Sequence, residues 1–244
     1  MPSTLRSCII AEEGYTFISL DASQIELRVL AILSGDPQML EDLKTGDLHL
    51  ATAIRMFGEE ILQDEAIKEK RRYQAKQGNF AEVYGADEFK LSEMLECSVE
   101  EALEFIAERH RIYPVLYQWI EATKVKAKED GFVVNMFGRI RPLPELSGGS
   151  WKMREKAERE CVNSIVQGSA VDIVKKMMLY LRDILDPKIR LVLQIHDEIL
   201  WECPDSLLEQ ALELCGELVQ AFPDYPIAIK CGKIYGELKE VQNV

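Results

Sequence analysis

Two acidic segments, far apart along the chain, constrain its fold more than any other feature. The first is Ile18-Ser19-Leu20-Asp21-Ala22-Ser23-Gln24-Ile25-Glu26-Leu27-Arg28, and the second is Leu191-Val192-Leu193-Gln194-Ile195-His196-Asp197-Glu198. Each reads as an apolar strand that runs into carboxylates. An ionised carboxylate withdrawn from water needs a partner. A partner that tolerates two carboxylates together is a divalent cation, and two-metal sites serve many phosphoryl transfers. That reading needs a fold that brings the two strand ends to one place.

The rest of the chain must then supply a phosphate site, a base and a template. At 244 residues the chain can bury a sizeable core. Its net charge of −13 is awkward for a nucleic-acid partner, since phosphate backbones are met by excess Lys and Arg. Distribution matters more than the sum. Basic residues gather in Lys68–Lys76, Lys124–Lys128 and Arg139–Arg159, and acidic ones in Glu93–Glu108 and Glu202–Glu240. Each basic cluster also reads as a solvated helix face, so charge neither requires nor excludes DNA. The six cysteines lack a CxxC spacing and only three histidines accompany them, which argues for reduced cytosolic thiols rather than zinc. No run is long enough to be a membrane span, and the N-terminus lacks a signal peptide's apolar core.

Periodicity predicts a strand at Tyr15–Asp21 and a helix over Ser23–Ser34, opened by a capping box of Ser23 and Glu26. Short helices follow to about Phe57, and then a long one over Glu65–Tyr84 that ends at Gly85. Helices are expected at Ser98–Ile112 and Pro114–Glu129, a hairpin at Phe132–Arg141, and one long or two abutting helices over Trp151–Leu185. A second hairpin, Ile189–Ile195 with Ile199–Glu202, turns at His196-Asp197-Glu198. A helix over Pro204–Phe222 and a strand at Ile227–Lys230 complete the pattern. The expected class is α+β, a small antiparallel sheet backed by helices.

Within Glu65–Tyr84, Arg72, Lys76, Phe80 and Tyr84 recur every four residues, and each step drifts only about 40° around a helix. One stripe therefore carries two cations and then two aromatics. Arg grips phosphate oxygens bidentately, Lys adds a point charge, and aromatics can stack on a base or sugar. Read alone, the same helix is better described as an amphipathic one with Phe80 and Tyr84 in the core and the cations in solvent.

The string Arg71-Arg72-Tyr73-Gln74-Ala75-Lys76-Gln77-Gly78-Asn79-Phe80-Ala81-Glu82-Val83-Tyr84-Gly85 closely resembles the nucleotide-binding helix of family A DNA polymerases. Asp21–Arg28 resembles that family's first catalytic segment and Gln194–Glu198 its third. Asn135-Met136-Phe137-Gly138-Arg139 and Arg159-Glu160-Cys161-Val162-Asn163-Ser164-Ile165-Val166-Gln167-Gly168 match two further segments in the expected order. The resemblance runs from about Leu5 to Gly236.

It implies a palm and a helical fingers subdomain: residues 1–57 as palm leading into fingers, 58–130 as fingers, and 131–244 as palm. Asp21 and Asp197 would hold two Mg²⁺ ions (Mn²⁺ a possible substitute), with the Ala22 carbonyl completing one shell. Glu198 is a weaker catalytic candidate, because adjacent strand residues face opposite ways. Arg72 and Lys76 would bind the triphosphate, and Lys76 would also protonate the leaving pyrophosphate. Phe80 would stack on the incoming nucleotide and Tyr84 close the template side. Gln24 joins the nucleotide-binding set, and Glu26 would exclude a 2′-hydroxyl. Arg139, Arg159, Asn163, Gln167 and His196 would contact primer–template DNA.

Some positions depart from the family pattern. Ala22 stands for an aromatic, Gln77-Gly78 for two apolar residues, Ala81-Glu82 for a glycine-led pair and Pro142 for an aromatic. Gly78 is expected to loosen its helix. The chain starts only about 20 residues before Asp21, so the resemblance implies palm and fingers without thumb or exonuclease domains. The first functional expectation is a template-directed nucleotidyltransferase acting on deoxynucleoside triphosphates and primer–template DNA, with a separate chain supplying a thumb or weak, distributive extension without one. The second is a non-catalytic or partner-dependent DNA- or nucleotide-binding subunit. A nuclease is disfavoured, because further carboxylates usually surround such metals.

Overall fold

The computed structural model describes residues 3–81 and 85–241, and it divides into two compact units: residues 1–25 with 170–244, and residues 26–169. Within the first, strands β1 (Tyr15–Ala22), β2 (Arg190–Ile195), β3 (Glu198–Pro204), β4 (Ile227–Gly232) and β5 (Lys239–Glu240) form one antiparallel sheet ordered β2-β3-β1-β4-β5. Strand β1 is central, and Thr16–Leu20 is buried without interruption, as a strand covered on both faces must be. Asp21 is where that run meets water. The register sets Asp21 opposite Glu198 on one side and Ala228 on the other. Helix α1 (Ser3–Arg6) precedes the sheet. Helix α2 (Leu208–Ala221) packs on β3, burying Ala211, Cys215 and Leu218 along one stripe.

The second unit is helical. It contains α3 (Ile25–Ser34, from its second residue), α4 (Pro37–Leu43), α5 (Leu48–Phe57), α6 (Glu65–Ala81), α7 (Glu88–Leu95), α8 (Val99–Ile112), α9 (Pro114–Asp130) and α10 (Glu145–Gly148). A two-stranded hairpin, β6 (Phe132–Val134) with β7 (Ile140–Pro142), follows α9. Helix α11 (Trp151–Ile184) is one continuous rod of 34 residues, unbroken at Gly168, and its residues are shared between the two units.

The expected α+β class holds, with its antiparallel sheet and helices. Helix α3 starts at Ile25, later than a Ser23 cap implies, because Gln24 takes a left-handed φ of 55°. A capping box is present at α8, where Ser98 and Glu101 satisfy each other's backbone amides.

Carboxylates also position α4, α5 and α9. Buried Asp36 caps two helices at once: Oδ1 accepts from Gln38 N and Met39 N of α4, and Oδ2 from Val115 N and Leu116 N of α9. Asp47 caps α5 in the same way.

Candidate active site

The two acids that the sequence places at strand ends come together in the first unit. The turn between β2 and β3 consists of His196 and Asp197, and the Asp197 carbonyl accepts from Ala22 N at 3.2 Å. That bond ties the turn to the end of β1. His196 sits at φ 54°, and Gln194 Nε2 donates to its carbonyl at 2.6 Å. Gln24 and His196, two of the three left-handed residues other than glycine among the described residues, thus flank Asp21 and Asp197. A left-handed backbone costs a residue with a Cβ about a kcal/mol or more, and such strain concentrates at functional sites.

Burial raises the Asp21 carboxyl above its ordinary range, and the charge of Asp197 raises it further, against the opposing pull of Lys230. A buried carboxylate beside a second one suits a divalent cation, which would relieve both effects on Asp21. No group of three or more His, Cys, Asp or Glu side chains that could hold a metal ion occurs among the described residues.

Glu198 is placed differently from the strand-alternation expectation. Asp197 belongs to the turn, whereas Glu198 lies in β3 directly across from Asp21 and so shares its face. Its oxygens are already engaged: Ser19 Oγ donates to Oε1 at 2.7 Å, Tyr235 Oη donates to Oε2, and Arg6 Nη1 lies 3.1 Å from Oε2. Glu198 is therefore held in place by Ser19, Tyr235 and Arg6, and its charge adds to the repulsion felt by Asp21.

The phosphate-binding candidates lie on α6 in the second unit. Arg72 is half-buried, Lys76 exposed, and Phe80 half-buried on the same face. Below them runs a buried polar chain. Asp42 pairs with Arg55 and accepts from Tyr113 Oη at 2.9 Å. Tyr113 meets Thr52 at 2.9 Å, Thr52 meets Asn79, and Asn79 Nδ2 lies 3.0 Å from His49 Nδ1. The His49 ring in turn stands 5.6 Å from Phe80, tilted by 53°. Burial, aided by Arg72, Lys76 and Arg109 and opposed by Asp47, holds His49 down at a pKa of about 4, so it is neutral at pH 7.

Arg72 Nε pairs with Asp47 at 2.6 Å. Sequence reasoning missed both Asp47 and His49. Their only signal was an acid one step before an apolar helix, with a histidine two residues on.

Phe80 and Arg159 line one cavity of about 510 Å³ with Gly85, Lys90 and Met94. Gly85, at φ 71°, lets the backbone pass the Arg159 stem, since a Cβ there would lie 2.2 Å from Cγ. Arg159 is paired with Glu155 at 3.1 Å. Asn163 and Gln167 continue the face along α11, Gln167 exposed. The buried Oδ1 of Asn163 and Oε1 of Gln24 have no hydrogen-bond partner among the described residues. Such orphans call for a partner, and both were candidates from sequence. Arg139 sits beyond the turn that Asn135 builds by accepting from Phe137 N and Arg139 N, and Ser169 anchors that turn through Met136 N. Glu26 opens the second unit, half-buried. Tyr84 lies outside the described residues.

The first unit carries an acid pair at a sheet end, and the second a helix with a cationic and aromatic stripe. Comparison with known proteins identifies the family. The family model for DNA polymerase family A matches residues 1–236, and the chain belongs to that family. It is 38% identical over 227 residues to the thermostable DNA polymerase I of Thermus thermophilus, covering 92% of this chain and 27% of that protein. It is 34% identical to DNA polymerase I of Pseudomonas aeruginosa, covering 93% of this chain and 25% of that one. The chain thus spans about a quarter of the length of these curated relatives. Among solved structures, the polymerase domain of Pol1 from M. smegmatis, in complex with DNA primer-template and dNTP, matches with a TM-score of 0.86 and 29% identity. The match covers 96% of this chain and 42% of that one. No helix among the described residues is long and apolar enough to cross a membrane.

Proposed function

We propose that this chain is the catalytic module of a DNA-directed DNA polymerase, adding a deoxynucleotide to a primer 3′-end under the direction of a template. The observation that carries the reading is the pairing of Asp21 with Asp197 at the end of β1, where burial and the neighbouring charge both press on Asp21. When bound there, Mg²⁺ would acidify the primer 3′-hydroxyl and neutralise charge developing on the transferred phosphate.

The chain's own residues do the remaining work. Arg72 and Lys76 bind the triphosphate, and Lys76, exposed on α6, delivers a proton to the departing pyrophosphate. Phe80, steadied by His49, stacks on the incoming nucleoside. Glu26 fills the space of a 2′-hydroxyl, and Gln24 supplies an unpaired acceptor nearby in sequence. Arg139, Arg159, Asn163, Gln167 and His196 contact the primer–template, as does Tyr84 on the template side. Glu198 stands across the register from Asp21 as a further acid of the site. A separate chain that grips duplex DNA would raise processivity.

Primer extension by the purified chain with Mg²⁺ and single triphosphates tests this. Incorporation of only the nucleotide complementary to the templating base is expected, falling steeply with salt. Binding of primer–template and triphosphate without any extension, at low salt and high protein concentration, would favour the non-catalytic subunit instead.

A further inference from the structure

Arg72 is held by a residue outside its own helix. Its Nε donates to Asp47 Oδ2 at 2.6 Å, and its guanidinium forms no other hydrogen bond or ion pair among the described residues. Contact through Nε leaves the Nη1–Nη2 fork for a second partner, and that fork matches two phosphate oxygens. Asp47 is itself fixed. Its Oδ1 accepts from His49 N at 3.1 Å and Leu50 N at 3.2 Å, so it cannot swing away without uncapping α5. Two residues on, His49 packs against Phe80. The first turn of α5 therefore orients two members of the α6 stripe, Arg72 and Phe80.

We propose that Asp47 is a positioning residue for triphosphate binding: it clamps the Nε edge of Arg72 so that the Nη fork is presented to the phosphates. The proposal rests on reading Arg72 as a triphosphate ligand. Simple electrostatics and positioning predict opposite signs. A carboxylate near a bound triphosphate repels it, so by charge alone removing Asp47 tightens binding. If the clamp matters more, removal weakens binding, because a long, freely rotating arginine must then be ordered by the ligand.

Asp47→Ser separates the two jobs of this residue. Serine still caps a helix but is too short to hold Arg72. Equilibrium titration of the full chain with dATP and Mg²⁺ should show binding about tenfold weaker for Asp47→Ser, at a melting temperature close to wild type. The Asp47→Ser, Arg72→Ala double variant should bind no more weakly than Arg72→Ala alone. In nitrogen-15 NMR, the Arg72 Nε–H should exchange slowly in the wild type and be lost in Asp47→Ser. Equal or tighter dATP binding by Asp47→Ser overturns the proposal, as do losses that multiply in the double variant. A distinct result, Arg72→Ala binding dATP as wild type does, removes Arg72 from the triphosphate site and the proposal with it.

Discussion

Neutral, buried His49 links solvent conditions to helix α6 through its contact with Phe80. Its depressed pKa, about 4 against an ordinary 6.5, means that the unfolded chain binds a proton here before the folded one does. Its contribution to stability is fully present above pH 6.5 and is lost as pH falls towards 4. The shift corresponds to about 3 kcal/mol across that window. Urea unfolding at pH 4.5 and pH 7 should show the loss, and His49→Phe should flatten the slope; an unchanged slope would place the titration elsewhere. At Glu26, truncation to alanine should raise ribonucleotide incorporation in single-turnover extension, while unchanged sugar discrimination would remove it from the steric role. These two residues also show what sequence reading reached. Glu26 was singled out because it belongs to an extended motif. His49 was not, since a histidine near a helix start is usually exposed, and only the fold brings Phe80 and Asn79 to it.

Helix α6 shows how a local rule is overridden at the scale of an element. Gly78 reads as a weak point in a helix. In the structure it is a notch filled by α8: a Cβ at Gly78 would lie 2.1 Å from Cε1 of Phe105, and Arg109 Nη1 donates to the Gly78 carbonyl. Phe105 belongs to an apolar cluster with Ala81, Leu91, Leu95 and Ala102. Gly78→Ala should therefore destabilise the chain by about 1–3 kcal/mol, as overpacking does, despite alanine's better helix propensity. Adding Phe105→Leu should restore part of the loss in thermal melts, and a stabilising Gly78→Ala would contradict the packing account. The elements themselves followed from periodicity: strand β1, the long α11 and both hairpins stand close to their expected bounds. Carboxylate caps were harder to read. Asp36 reaches α9 across many residues, a pairing that no local pattern encodes.

For the whole molecule, the α+β class was legible because few strands alternate with many helices. The central place of β1 was not, since strand order depends on which edges pair. The net charge of −13, unhelpful as a sum, still leaves runs of cations on α6 and α11. Asp21 and Asp197 remain the anchor of the functional account, and they differ from Glu198 in a testable way: Glu198 is engaged by Ser19, Tyr235 and Arg6. The most direct measurement compares template-directed primer extension by the wild-type chain and by Asp197→Ala, both shown to be folded by circular dichroism. The account predicts Mg²⁺-dependent extension by the wild type and a loss of about a thousandfold or more in the variant. Comparable extension rates for the two proteins would contradict it.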